Sequence, residues 1–313
     1  MRLSPRTFRR ITLLAIIALG FVIVTGAAVR LTGSGLGCPQ WPACKNGHVV
    51  APLSFYSQVE FINRVTTLAV SIAISAAALA AFFRAPRRRD LSWLGLGLAA
   101  GLVAEIVLGG ETVRHRLNPG FVMAHFLLSL LLLWDAVVLH HRAGWPDSPG
   151  GARPLVDRPT IWLGRLLVVM VATTVVIGTV VTGSGPHSGA NAGDGRIRRW
   201  HLDVHRVTQV HGTAAMLTVG LVLFTWWLLR SRGAPVEARR RLQLVVEALA
   251  AQIVIGYTQY FSGVPPLLVA CHIAGVVLVW TAVLRFAVFL SSGSVDAAGW
   301  VAPPQRSPTA VSP

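Results

Sequence analysis

The stretch LGGETVRHRLNPGFVMAH, residues 108–125, returns without a gap as IGYTQYFSGVPPLLVACH, residues 255–272. The copies share a glycine, a proline and a final histidine, each 147 positions apart: Gly109 and Gly256, Pro119 and Pro266, His125 and His272. A constant offset over an ungapped stretch indicates an internal duplication. The fold is therefore expected to consist of two related units.

Two shorter matches support the same duplication. They are TGSG at 32–35 with 182–185, and VEFINRV at 59–65 with VTQVHGT at 207–213. The second match pairs Asn63 with His211, 148 positions later. Nearly equal offsets in chain order favour the duplication of a four-helix unit. Because four is even, both halves would run the same way across a membrane.

The composition indicates a membrane protein, because 53% of the residues are hydrophobic, 13% are charged and the mean hydropathy is +0.61. We therefore predict an all-α integral membrane protein with eight transmembrane helices, arranged as two pseudo-symmetric four-helix bundles in a parallel tandem repeat. Eight apolar stretches are close to the length that spans a bilayer. They cover residues 11–29, 65–83, 91–110, 121–139, 161–181, 207–229, 242–261 and 267–290.

The formal net charge of +16 could suggest a nucleic-acid partner, but the positions of the basic residues exclude one. Four alternate segments, 2–10, 84–89, 142–165 and 230–241, hold 17 of the 28 Lys and Arg residues. The positive-inside rule then predicts a multi-pass cell-membrane protein with both termini in the cytoplasm. The first helix has a basic start but is expected to be retained, because no small-residue cleavage site follows it.

The repeat also predicts the domain organisation. We expect an N-terminal four-helix bundle, a cytoplasmic linker, a C-terminal four-helix bundle, and a tail rich in Gly, Ser, Pro and Ala that is disordered. Their boundaries are 1–140, 141–160, 161–290 and 291–313.

His211 and His272 lie near the outer ends of their apolar segments, where ionisable groups are costly and usually face the bundle interior. Two imidazoles from facing helices can bind opposite sides of one haem iron. Zinc is the competing metal, although it requires three or four ligands, and His201 and His205 are nearby. A pair that only hydrogen-bonds neighbouring helices is the structural alternative. A bis-histidine haem is the favoured hypothesis.

In the first unit the equivalent positions are Asn63 and His125. Glu60, Asn63 and Arg64 share a helix face because they are three and four residues apart. Asparagine is a weak iron ligand, so His125 would be the axial donor and the opposite face would be open, which suits chemistry better than electron transfer. A snorkelling ion pair is the alternative for Glu60 and Arg64. Charge-assisted bonds to haem propionates could come from three basic residues: Arg64, Arg114 and Arg116.

The first outer loop contains Cys38 and Cys44. In an oxidising compartment, two cysteines this close in sequence are expected to form a disulfide. The sequence leaves open whether the bond is structural or takes part in turnover. Cys271, beside His272, is expected to be a small buried apolar residue.

The chain resembles the haem A synthase family over about residues 10 to 290. The motifs that carry this resemblance are TGSGLGCPQWPAC, EFINR, NPGFVMAH, QVHG and YFSGVPPLLVACH. The resemblance implies a haem b on His211 and His272, and a site in the N-terminal half that binds haem O and oxidises a ring methyl to a formyl group. The family motif at helix 2 is usually Glu-x-x-His-Arg, so this chain departs from it at Asn63.

The resemblance also implies partners and roles. Haem O is the substrate, haem O synthase is a candidate supplier, and membrane lipids surround the helices; no residue identifies the electron donor or sets a homo-oligomeric state. Glu60 and Arg64 would be the catalytic residues, with Glu60 moving protons or stabilising positive charge near the oxidised methyl. Both haem sites would lie near the outer side of the membrane. A non-catalytic di-haem cytochrome b and a transporter with parallel repeats are the competing functions.

Overall fold

The computed structural model describes residues 2–145, 147, 154–191 and 197–291, and the expected tail beyond Ser291 lies outside this range. All eight predicted spans lie within helices long and apolar enough to cross a membrane. The prediction of an all-helical multi-pass membrane protein is confirmed. The helices are α1 Pro5–Leu31, α2 Phe55–Phe83, α3 Arg89–Arg114, α4 Pro119–Ala143, α5 Arg158–Ser184, α6 Val204–Ser231, α7 Val236–Phe261 and α8 Pro266–Ser291.

Most helices begin before the predicted apolar stretch because polar side chains cap their N-termini. An oxygen of the capping side chain accepts a hydrogen bond from a backbone N–H in the first turn, which would otherwise lack a partner. Such caps are Ser4, Ser54, Asn118, Asp157 and Asp203, which precede α1, α2, α4, α5 and α6. The caps extend the helices into the interface, beyond the hydrocarbon core.

Each unit forms a ring of four helices in chain order. In the first unit α1 packs against α2 and α4, and α3 packs against the same two helices. The second unit repeats this arrangement with α5, α6, α7 and α8. Within the described residues, the diagonal helices α2 and α4, and likewise α6 and α8, make no close backbone contact. The repeat therefore leaves an interior space between equivalent diagonal helices in both units.

The two units meet along α1, α4, α5 and α8. Trp280 of α8 is buried at this interface and donates a hydrogen bond from Nε1 to the Leu130 carbonyl oxygen of α4, at 2.9 Å. Large apolar side chains such as Phe21, Trp93 and Leu278 point outward instead. Outward apolar side chains are expected where the surrounding solvent is lipid.

Two basic side chains donate to backbone oxygens at the end of α5 and in the residues that follow it. Arg30, at the end of α1, donates hydrogen bonds to the carbonyl oxygens of Thr182 and His187, both at 2.9 Å. Arg199 approaches the same two oxygens at 3.4 and 3.3 Å. Burial lowers the pKa of the Arg199 guanidinium. Arg30 thus links the end of α1 in the first unit to Thr182 of the second TGSG segment and to His187 beyond it.

Candidate functional site

The repeat places two pairs of equivalent positions at similar depth and at the same end of the two units. They are Asn63 of α2, His125 of α4, His211 of α6 and His272 of α8, each six to eight residues inside its helix. At 1.5 Å per residue, this depth is roughly 9–12 Å along the helix axis. Each unit therefore carries two of these positions on diagonal helices.

His211 and His272 face each other across the interior of the second unit. Their ring centroids are 6.3 Å apart and their planes are inclined by 70°. A metal–imidazole bond is about 2.0–2.1 Å long, so two imidazoles on opposite sides of one metal ion place their ring centres roughly 6 Å apart. The separation of the two rings therefore fits one metal ion between them.

Glycines on the neighbouring helices make room for these rings. A Cβ atom on Gly178 of α5 would lie 3.0 Å from His211 Cε1, and one on Gly256 of α7 would lie 3.3 Å from His272 Cε1. Both distances are at or below the tight end of ordinary packing. The glycines are thus part of the histidine site.

The hydrogen bonds of the two histidines differ. His211 Nδ1 lies 3.0 Å from the Thr174 carbonyl oxygen, to which it can only donate, so Nε2 carries the lone pair. His272 Nδ1 is buried and has no hydrogen-bond partner among the described residues. The Gln252 amide donates a hydrogen bond to the backbone oxygen of His272 at 2.8 Å, and not to a nitrogen of the His272 ring.

The surroundings of this pair do not suit zinc. Within the described residues, no three His, Cys, Asp or Glu side chains are grouped as metal ligands. His205 is in the first turn of α6, where it contacts the Tyr260 hydroxyl at 3.1 Å and the Gln209 side chain at 3.0 Å. A tetrahedral site built on His205 therefore finds no support.

His125 in the first unit has a different set of neighbours. Its Nδ1 lies 2.5 Å from Glu105 Oε2 of α3, and the other oxygen of Glu105 accepts a hydrogen bond from Ser129, also at 2.5 Å. A Cβ atom on Gly109 would lie 3.2 Å from His125 Cε1. The glycine cradle is thus common to both units, whereas the carboxylate contact is confined to the first.

Glu60 and Arg64 form an ion pair at 2.6 Å, and the Glu60 side chain is buried beneath the first outer loop. Glu60 accepts a hydrogen bond from the Cys38 backbone N–H at 2.7 Å. Arg64 donates to the carbonyl oxygens of Cys38, Gln40 and Ala43 at 2.7, 3.0 and 3.0 Å. The pair therefore holds this loop over the outer end of α2.

Asn63 lies between these two residues on α2, and its side-chain oxygen Oδ1 is buried without a hydrogen-bond partner among the described residues. A buried carbonyl oxygen without a partner is costly and uncommon. Asn63 thus presents an unsatisfied polar atom at the position equivalent to His211.

The three cysteines differ in bonding and in exposure to the surroundings. Cys38 and Cys44 form the predicted disulfide, and both are fully buried. The prediction that Cys271 is buried is wrong, because this free cysteine is exposed on α8. Its neighbour His272 points into the unit, and successive residues of a helix cannot share one face.

Arg114 and Arg116 occupy different surroundings. Arg114 is half exposed, forms an ion pair with Glu111 at 2.7 Å and lies over the Trp41 ring. The backbone φ of Arg116 is positive, at 50°, and that of the equivalent residue Gly263 is also positive, at 75°. Left-handed backbone costs a residue with a side chain about 1 kcal/mol, so Arg116 occupies a turn that suits the glycine better. It lines an outer cavity of about 220 Å³ with other polar residues, including Lys45, Tyr56 and Asn191.

Sequence reasoning missed Glu105 as a member of the site. The signal was present, since Glu105 is an acid within an apolar span and an intramembrane acid is a functional candidate by default. It also aligns with Gln252 at the repeat offset of 147. Its contact with His125 depends on how α3 and α4 face each other, which the sequence does not give.

The fold and the site define a class of protein: a duplicated four-helix membrane protein whose diagonal helices carry histidines at equivalent positions. The family model of COX15-CtaA, described as cytochrome oxidase assembly protein, matches residues 9–58 and 54–284. The chain belongs to this family.

Curated relatives of the chain are bacterial proteins named heme A synthase. One from Geobacillus kaustophilus is 36% identical over 112 residues, which are 35% of this chain and 35% of the relative. One from Listeria welshimeri is 30% identical over 148 residues, 46% of this chain and 48% of the relative. A Bacillus licheniformis protein is 26% identical over 135 residues, 43% and 44% of the two chains. The aligned part spans half or less of each relative's length.

Proposed function

We propose that this membrane protein makes haem A by oxidising a ring methyl of haem O to a formyl group. The observation that carries the proposal is the pair His211 and His272, with ring centroids 6.3 Å apart, together with an altered copy of that pair in the first unit. Membership of the cytochrome oxidase assembly family and relatives named heme A synthase support a role in making haem A.

The second unit is proposed to hold haem b. His211 and His272 would hold its iron, because their separation fits a metal between two imidazoles and Nε2 of His211 carries the free lone pair. Gly178 and Gly256 leave room for the two rings, because a Cβ at either position would crowd the facing imidazole. Haem b bound there would carry electrons away from the reaction in the first unit.

The first unit is proposed to bind haem O as substrate on His125. Asn63 would occupy the opposite side without providing a strong ligand, so one face of the substrate remains accessible. The unsatisfied Asn63 Oδ1 supports a polar contact made only when a ligand is bound. Arg64, Arg114 and Arg116 are the proposed propionate partners, and the outer cavity lined by Arg116 supports that role for this residue.

The overall reaction sets what the residues must do. With water as the oxygen source, R–CH3 + H2O gives R–CHO, four protons and four electrons by way of the alcohol, so the proposed reaction requires four equivalents of an external one-electron acceptor. Glu60 is the proposed proton-handling carboxylate, and its ion pair with Arg64 fixes its position beneath the loop. Arg64 would also hold the loop closed and exclude water from the site.

The positive-inside distribution supports cytoplasmic termini in a cell membrane, which places both proposed haem sites near the outer side. Haem O synthase is the proposed supplier of the substrate. The domain boundaries 1–140, 141–160, 161–290 and 291–313 are retained as a proposal for how the two sites are separated along the chain.

Deletion and complementation in a haem-A-producing cell test this function. Haem is extracted and identified by chromatography and mass spectrometry. Loss of formyl haem and accumulation of haem O are expected after deletion, with recovery by the wild-type chain and by a control variant, Cys271→Ala, at an exposed site. His125→Ala is expected to give no recovery. Unchanged formyl haem after deletion would overturn the proposal and favour a non-catalytic di-haem cytochrome.

A further inference from the structure

A buried carboxylate distinguishes the first unit from the second. Glu105 lies within the membrane-spanning part of α3, and its side chain is 11% exposed. An acid at such depth is costly and requires partners that repay the loss of hydration. Its partners therefore indicate what it does.

Both partners of Glu105 belong to one face of α4. Oε2 lies 2.5 Å from His125 Nδ1, and Oε1 accepts the Ser129 hydroxyl at 2.5 Å. Neither Oε2 nor Nδ1 has a hydrogen-bond partner among the described residues, so their 2.5 Å approach is a close carboxylate–imidazole contact rather than an aligned hydrogen bond. Ser129 thus orients the carboxylate, and the carboxylate orients the imidazole.

The second unit lacks this arrangement although its backbone is equivalent. Gln252 replaces Glu105 and Val276 replaces Ser129, each 147 positions later. Gln252 turns its amide to the His272 backbone oxygen at 2.8 Å, and His272 Nδ1 is left without a partner. The carboxylate contact is therefore not a requirement of the shared fold.

We propose that Glu105 is a positioning residue for the substrate haem, acting through His125. With Oε2 2.5 Å from Nδ1, the carboxylate would favour the tautomer that carries its proton on Nδ1, leave Nε2 free to bind iron and make the imidazole a stronger donor. This inference rests on the proposed function, because it requires His125 to be the iron ligand. The proposed contact would make His125 a stronger iron ligand than the equivalent His272, although the two units share one fold.

The test uses the full-length protein in detergent, with haem b already present in the second unit and ferric protohaem added as the probe of the first. Glu105→Gln keeps the shape but removes the charge, and Glu105→Leu removes both. Glu105→Leu is expected to raise the Kd of the added haem about 10- to 100-fold, the usual effect of losing such a partner. After reduction, both variants are expected to lower the iron–histidine stretching frequency in resonance Raman spectra.

Matched controls separate this role from folding. Glu247→Gln removes an exposed acid of α7 and is expected to leave both readouts unchanged. The low-spin spectrum of the second-unit haem reports that each variant is folded. Wild-type Kd and stretching frequency in both Glu105 variants would overturn the inference. Persistence of first-unit haem in His125→Ala would instead overturn the ligand assignment on which the proposed function rests.

Discussion

The two units of this protein share a backbone but differ in the chemistry of one site. Both have a glycine cradle, the same left-handed turn before the last helix and a histidine six residues inside that helix. They differ at two positions. The first unit has Asn63 where the second has His211, and it has Glu105 where the second has Gln252. The comparison teaches that duplication supplies a fixed frame, and that substitutions within it give two equivalent sites different polar side chains.

The largest effect is expected from Glu60→Gln, which keeps the hydrogen-bonding shape but removes the charge. Formation of haem A is expected to fall at least about 100-fold, in the range found for loss of a general acid or base. The second-unit haem spectrum should persist, because the contacts of Glu60 with Cys38 and Arg64 lie in the first unit. Normal turnover, measured as extracted haem A per protein, would make Glu60 only a structural partner of Arg64.

Asn63→His tests whether the missing ligand explains the difference between the units. If Asn63 lies across the substrate from His125, the added imidazole is expected to convert most of the ferric haem in the first unit to a low-spin, bis-histidine form. Electron paramagnetic resonance of the haem-loaded protein measures this conversion. A spectrum identical to that of the wild type would show that the two positions do not face one iron.

Gly178→Ala sharpens the comparison within the second unit. The new Cβ would lie 3.0 Å from His211 Cε1, so the ring must shift by a few tenths of an ångström. A cost of about 1 kcal/mol, and hence a roughly fivefold weaker affinity for haem b, is expected. Gly212→Ala is the matched control, because no atom lies within 4 Å of its Cβ position. Equal haem affinity in the two variants would contradict the role of the cradle.

The smallest effect is expected from replacing both Cys38 and Cys44 by Ser. The disulfide closes a short loop, with a sequence separation of 6, so its loss is expected to lower the free energy of unfolding by about 2 kcal/mol. Arg64 still holds the loop through three carbonyl oxygens. Thermal unfolding should show a modestly lower midpoint, with haem A formation retained. Complete loss of haem A formation in a folded variant would indicate a redox role in turnover.

Much of the fold could be predicted because apolar length, basic-residue positions and a constant repeat offset are properties of the sequence itself. Helix starts were predicted less well, since Ser54 and Asp203 extend α2 and α6 into polar sequence. The site was predicted in part. His125 was recognised from the repeat, whereas its contact with Glu105 depends on how α3 and α4 are rotated against each other, a tertiary property.

The ion pair of Glu60 and Arg64 illustrates a second limit. Their spacing predicts a shared helix face, but it does not predict that the partners of Arg64 are carbonyl oxygens of the first outer loop. Backbone acceptors carry no sequence signal, because every residue has one. For the same reason, the sequence does not predict the hydrogen bond between His211 and the backbone oxygen of Thr174.

The division of labour between the units is tested most directly by comparing His125→Ala with His272→Ala in the purified protein, using absorption spectra and extracted haem. His125→Ala is expected to retain the low-spin bis-histidine spectrum and to yield no haem A. His272→Ala is expected to lose that spectrum. Loss of the low-spin spectrum in His125→Ala, or its full retention in His272→Ala, would contradict the assignment of the two haems to the two units.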